Sequence, residues 1–326
     1  MKNVSFEEAF PSIIELARFA PSVHNTQPWR ITSTNSSVEI NLDEAHTLRD
    51  GDPTGRETTI SLGIIAEAIV IVAEQFGFRE VTTNLKDKTL LIRFESTNTK
   101  SSTKKYADLL KARCTDRSLY SPVTISDEDV HRIKDSATNF KVKIHVIRDP
   151  QIVAKVADYT SKGISLALSN PSFRKELSQY LIVPWSHKKR GISVRSLYIN
   201  PLLAVYEPLL MRLGIGLPLE VKLEKKRWLS ASGIVVITAD GDLSQYWLAT
   251  GRAYMRVSLE IEELGLSQAT SAAIVEASNY HDDVEELLGT NQRILSIIRI
   301  GKGETNRRHS PRVDYQDLIT SSSQSV

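Results

Sequence analysis

Apolar positions along the chain follow two periods. Over residues 61–78, and again over residues 249–266, they recur at the three- and four-residue spacing of a helix. Both stretches close on a glycine and an apolar residue, Gly77-Phe78 and Gly265-Leu266, where the glycine can take the left-handed conformation that stops a helix. Gly63 and Gly251 lie 188 positions apart, as do Gly77 and Gly265, so the two stretches superpose without a gap and read as an internal repeat. A strand pattern follows each, over residues 89–94 and 293–300; the longer second separation leaves room for a short helix at 282–288.

The remaining pattern predicts an α+β chain. A helix over 6–19 leads through a polar loop into short strands at 30–32 and 37–42, and a turn-rich segment at 49–55 delivers the first long helix. A polar Ser/Thr/Lys-rich stretch at 96–105 reads as the junction between two halves, residues 1–100 and 101–326. Ser126 caps a helix over 127–139 that carries acidic residues in its first turn, where the helix dipole favours them. Residues 141–147 alternate like a half-buried strand, and 232–238 read as a fully buried one. Residues 163–227 have no counterpart in the first half and read as an insertion. Its centre, 198–219, is apolar but interrupted by Pro201, Glu207, Pro208 and Arg212, so it predicts a helical lid over an apolar site and not a membrane span. The apolar run at 64–73 carries Glu67 and reads as a buried helix.

Composition narrows the function classes. Of 326 residues, 41 are Lys or Arg and 39 Asp or Glu, a net charge of +2, which argues against a basic coat for nucleic acid. The short basic runs at 187–190, 222–227 and 307–308 read as solvated faces. The single cysteine, Cys114, has no disulfide partner, and the first eight residues lack the apolar core of a secretory signal, so a cytoplasmic protein is expected. Neither Gly214-Ile-Gly216 nor Gly301-Lys-Gly303 has the third glycine of a dinucleotide-binding loop, since Leu219 and Asn306 stand there. The seven histidines are scattered, and no metal site is expected. Cys114 lies beside Arg113 in a setting that can lower a thiol pKa, yet no Cys–His pattern accompanies it, so it reads as a buried structural thiol.

Three stretches carry candidate chemistry. In Ala20-Pro-Ser-Val-His-Asn-Thr-Gln-Pro-Trp-Arg30, Pro21 and Pro28 fix the shape of a loop whose Ser22, Asn25 and Gln27 offer donors and acceptors to a planar polar group; Trp29 is expected to pack in the core. In Lys111-Ala-Arg-Cys-Thr-Asp-Arg117, the residues Arg113, Thr115 and Arg117 lie two apart, so an extended segment aims all three side chains one way, as a phosphate dianion requires. In Arg307-Arg-His-Ser-Pro-Arg312, one or two arginines can close on the same phosphate.

Together these stretches resemble the nitroreductase family of FMN-dependent oxidoreductases, and the distribution of the motifs is similar to its fused, single-chain, Acg-like branch. The resemblance extends to residues 52–57, 173–177 and 247–266. It implies a nitroreductase-like fold in which two pseudo-repeats mimic the intertwined family dimer, with a helical lid insertion. The loop occurs only in the first half and the phosphate motif only in the second, so one FMN per chain is implied. Its implied contacts are Pro21, Ser22, Val23, Asn25 and Gln27 at the ring edge, and Arg113, Thr115, Arg117, Ser310 and Arg312 at the phosphate. Arg227 matches the cation near flavin N1 and C2=O. Ser271 and Ala272 match the segment facing N5, although the family's usual acidic-glycine pair is absent there. The implied activity is hydride transfer from NADH or NADPH to N5 and on to a nitroaromatic, quinone or similar small-molecule acceptor, with no catalytic side chain. The alternative is a lid-closed protein that sequesters or stores flavin. No nucleic-acid or membrane partner is expected, and the internal pseudo-dimer implies a monomer or a weak homodimer.

Overall fold

The computed structural model describes residues 4–97, 104–277 and 279–320. The proposed junction at 96–105 therefore lies largely outside the described residues. The chain opens with helix α1 (Phe6–Ala17), started by a reciprocal cap in which the Ser5 hydroxyl accepts from Glu8 N–H (3.2 Å) and the Glu8 carboxylate accepts from Ser5 N–H (2.8 Å). Strands β1 (Trp29–Thr34) and β2 (Ser37–Leu42), helix α2 (Arg56–Gln75), and strands β3 (Phe78–Lys86) and β4 (Thr89–Ser96) follow. The strands form one antiparallel sheet in the order β1-β2-β4-β3. The pattern did not reveal β3: its burial alternates along a mostly polar segment, because it is an edge strand with one wet face.

Helix α3 (Lys104–Ala112) leads to a second copy of this plan. Helix α4 (Asp127–Asp135) stops short of the expected residue 139, and strand β5 (Lys143–Ile147) follows it. The insertion comes next: helices α5 (Pro150–Ser169) and α6 (Pro171–Gln179), the small parallel pair β6 (Leu181–Ile182) and β7 (Ile192–Ser193), then α7 (Pro201–Ala204), α8 (Glu207–Leu213) and α9 (Leu217–Leu229). The plan resumes with β8 (Gly233–Ala239), α10 (Ser244–Glu263), β9 (Ser267–Thr270), α11 (Ala273–Glu276), α12 (Tyr280–Leu288), β10 (Arg293–Gly301) and the terminal turn α13 (Tyr315–Leu318). The second sheet is antiparallel in the order β5-β8-β10-β9. It matches the first sheet strand for strand, with α4 in the place of α1 and α10 in the place of α2. Both ends of α10 lie 188 positions after those of α2.

The two long helices cross at their paired glycines. A Cβ on Gly63 would stand 2.3 Å from the Leu248 carbonyl oxygen, and one on Gly251 would stand 2.0 Å from that of Ile60. Residue 60 corresponds to 248 and residue 63 to 251, so the contact is reciprocal, as at a two-fold dimer interface. Glu67, fully buried on α2, is held across the same interface by Arg252 (2.6 Å) and Arg256 (2.5 Å) of α10. One apolar cluster runs through both halves and includes Ile13, Trp29, Ile65, Ile69, Met255, Val257 and Ile298. The C-terminal segment also crosses over, since Ile319 bridges to Ile31 of β1 and Thr320 N–H bonds the Ile31 carbonyl (3.0 Å).

The insertion begins at Pro150 and not at Gly163, which sits inside α5. There the missing side chain admits the Ala273 carbonyl, because a Cβ would lie 2.5 Å from its oxygen. A small core of Leu168, Leu181, Ile192, Val194, Ala204 and Met211 lets the insertion pack on itself.

Candidate functional site

A cavity of about 670 Å³ lies among the N-terminal loop, α2, the segment after α3, the insertion and the C-terminal tail. Its volume falls within the 300–1,000 Å³ usual for small-molecule sites. Of the thirteen residues expected at the site, it gathers twelve: Pro21, Ser22, Val23, Asn25, Arg113, Thr115, Arg117, Arg227, Ser271, Ala272, Ser310 and Arg312 all line it.

Gln27 is the exception. It is fully buried and turned into the protein, where its Nε2 donates to the Lys189 (2.9 Å) and Asn25 carbonyls and its Oε1 accepts from Val313 N–H (2.9 Å). The expected ring contact is thus corrected to a clamp that joins the loop to the insertion and the tail. Asn25 adds to the clamp through Nδ2, which donates to the Gly191 and Pro311 carbonyls at 2.8 Å each. Ser22 accepts from Gln27 N–H (2.8 Å), and Val23 N–H donates to Ser61 on α2 (3.0 Å). These bonds hold His24, Asn25 and Gln27 at φ of 45°, 55° and 48°. That conformation costs non-glycine residues about 1 kcal/mol each or more and concentrates at functional loops. Trp29 is core, as expected.

The arginines at the other wall are uncompensated. Arg113 is 3% exposed, and its Nε and Nη1 have no hydrogen-bond partner. Arg312 donates only to carbonyls, those of Ser310 and Pro311 (3.2 Å each) and Phe19 (3.4 Å), and its Nε is also unpaired. Burial, then the nearby charges of Arg113 and Arg18, push the Arg312 pKa down to about 9. Each unmet buried donor costs about 1–3 kcal/mol, and the donors left here are of the kind that an anion satisfies. Thr115 is fixed beside it by a parallel bridge to Gln268, while Asp116 turns away and accepts from Ser118 N–H (2.9 Å). Of the tail arginines, Arg307 is forked onto Glu262 (2.5 and 2.6 Å), whereas Arg308, which lies over the Tyr198 ring (4.7 Å) and donates to the Arg195 carbonyl, lines the cavity with Arg312.

Two expectations change in detail, and that of a buried Cys114 holds. Arg227 lines the cavity from the last turn of α9, yet it is not a free cation, because Glu224 (3.0 Å), Glu220 (3.4 Å) and the Leu197 carbonyl all hold it. Ser310 Oγ accepts from Ser193 N–H (3.1 Å) and so anchors β7. The Cys114 thiol is buried and raised, not lowered: burial outweighs Arg113 and Arg307.

Sequence reasoning missed two titratable groups in the cavity wall. His24 is driven down to about 4 by burial and by Arg117, so its imidazole is neutral, with Nδ1 buried and unpaired. Glu57, in the first turn of α2, is raised to about 8 by burial and by Glu276 and Asp52, against the opposing charge of Arg56. Arg56 does not pair with it, being committed to Glu276 (2.9 Å), Asp242 (3.3 Å) and the Val275 carbonyl (2.8 Å). The Glu57 carboxyl is therefore a neutral acid at pH 7, facing the cavity. Stability from keeping it protonated is fully present below its ordinary value of 4.5 and is lost as pH rises through 8. Melting curves of the Glu57→Gln variant should accordingly lose less Tm between pH 5 and pH 9 than the parent, by about 2 °C or more. Equal pH slopes for the two proteins would remove Glu57 from this role.

No family model matches the chain. A Mycobacterium tuberculosis (strain H37Rv) protein named "Putative NAD(P)H nitroreductase Rv3131" is 22% identical over 95% of this chain and 90% of its own length. From the same strain, "Putative NAD(P)H nitroreductase acg" is 24% identical over 90% of this chain and 89% of its own. A solved structure of the FMN-dependent nitroreductase NfnB from Mycobacterium smegmatis, in complex with NADPH, covers 64% of this chain and 94% of that one at 17% identity and a TM-score of 0.41. The chain is thus a homologue, over most of its length, of proteins named NAD(P)H nitroreductases.

Proposed function

We propose, from relatives named NAD(P)H nitroreductases along about nine-tenths of the chain, that this protein is an oxidoreductase holding one FMN between its two halves, residues 1–100 and 101–326. The observation that carries the reading is the pair Arg113 and Arg312, buried together with unmet donors and, among the described residues, no carboxylate partner. Arg113, Arg312, Thr115 and Arg117 would bind the phosphate, and the 21–25 loop with Ser271 and Ala272 would orient the ring. When bound, FMN supplies hydride transfer, from NADH or NADPH to a nitroaromatic, quinone or similar acceptor. The clamp through Asn25 and Gln27 keeps the loop in register with the tail. Glu57 holds a proton at its carboxyl on the cavity wall. The internal pseudo-dimer supports a monomer, and the expected setting is the cytoplasm.

A second reading, flavin sequestration, is favoured by the lid: Leu197, Met211, Glu220 and Glu224 of the insertion all face into the cavity. Anaerobic mixing with NADPH separates the two. Rapid bleaching of the bound flavin is the expected result; a flavin that stays oxidised would assign storage, and deleting residues 198–219 should then restore bleaching.

A further inference from the structure

The outer face of the lid carries a surface that none of the described residues covers. Leu202, Tyr206, Leu209, Leu213, Ile215 and Leu219 are all exposed, Leu202 by 80% and Leu219 by 71%. Leu209 and Leu213 lie one turn apart on α8 and so share one face, with exposed Leu202 and Tyr206 just before them in the chain. The lid does not need them to fold, since Ala204 and Met211 on its inner side fill the insertion's own core. An apolar patch of this kind marks an interaction site.

Charge on the lid is sorted by side. Its acidic residues, Glu207, Glu220 and Glu224, line the cavity. Its exposed charges are all basic: Arg212 on α8, and Lys222 and Lys226 on α9. Leu219, Lys222, Lys226 and Leu229 are spaced three and four apart and exposed, so basic and apolar residues share one stripe of α9. Among the described residues no helix is long and apolar enough to cross a membrane. Leucines interleaved with lysines on a short helical face, with acids excluded, are the pattern of a segment that lies on an anionic bilayer. Arg212, Lys222 and Lys226 give this face a positive charge that complements an anionic surface.

We propose that the outer face of the lid, α7 to α9, docks peripherally on an anionic lipid surface, with Leu209, Leu213 and Leu219 entering the interface and Arg212, Lys222 and Lys226 meeting the headgroups. The test is co-sedimentation of the full chain with vesicles of phosphatidylcholine alone, or of phosphatidylcholine and phosphatidylserine in equal parts, at low and high salt. The parent should sediment with the anionic vesicles at least about tenfold more than with the neutral ones and be released by salt. The double variant Leu209→Glu/Leu213→Glu should lose this binding at least about tenfold, with an unchanged melting curve showing that it remains folded. No sedimentation, or sedimentation that the variant leaves unchanged, would overturn the proposal. A concentration-dependent dimer in sedimentation velocity that the variant dissolves would overturn it too, by giving the face to a second copy.

Discussion

The double variant Arg113→Ala/Arg312→Ala is expected to bind FMN about 10²- to 10⁴-fold more weakly than the parent. Charge-assisted hydrogen bonds contribute about 1.5–3 kcal/mol each, and two guanidiniums would be lost from the phosphate. The empty protein should respond in the opposite sense. Arg113 and Arg312 are buried side by side with unmet donors, and the Arg113 charge disfavours that of Arg312. Removing both relieves that repulsion, so the melting temperature without flavin should hold or rise while affinity collapses. This pairing of outcomes separates a ligand site from a structural one. A fluorescence titration of flavin-free protein with FMN measures the first quantity and a thermal melt the second. Lysine at position 113 should restore little, because it lacks the planar fork that grips a phosphate. A double variant that purifies with full flavin content would remove these residues from the site.

Gly63→Ala and Gly251→Ala should each destabilise the protein by at least about 3 kcal/mol. Alanine in a helix interior ordinarily stabilises by nearly 1 kcal/mol over glycine, so the expected sign is reversed. The reason is that the new methyl would meet backbone and not a side chain that can move: Leu248 O at 2.3 Å from position 63, and Ile60 O at 2.0 Å from position 251. Two long helices would have to part, and overpacking against backbone belongs among the costly substitutions. Because the contact is reciprocal, the two variants should be affected alike. Urea denaturation measures the effect, and a neutral or stabilising result for either variant would break the two-fold interface inferred between α2 and α10.

The repeat was legible in the sequence because glycine at a helix crossing is a backbone requirement that side-chain drift cannot replace. The 188-residue spacing of Gly63 and Gly251 is therefore also the spacing of the helix ends. Those ends lie five residues before the apolar pattern starts. The Asp52 carboxylate accepts from Glu57 N–H (3.1 Å) and Thr58 N–H (2.7 Å), so a polar first turn is stable where hydrophobic periodicity gives no signal. Gly163, expected as the start of the insertion, lies inside α5, where it serves packing against the Ala273 carbonyl. At the site, the residue types were readable but their directions were not. Gln27 and Asn25 carry the same amide group, yet Gln27 spends all of its hydrogen bonds on the protein, while Asn25 reaches the cavity wall. Arg227 is a cation whose charge two carboxylates seven and three residues earlier already answer. Glu57 and His24 were missed because their shifted pKa values arise first from burial and then from charges distant in sequence, Glu276 for Glu57 and Arg117 for His24, with Asp52 a smaller local contribution, and no local pattern encodes burial.

The central claim is a single composite flavin site, made by the loop of one half and the arginines of the other. The most direct measurement is the identity and amount of flavin released by acid from the purified chain after incubation with excess FMN. One FMN per chain is the expected result. Two per chain, which an intact second site would give, or no bound flavin at all, would contradict it.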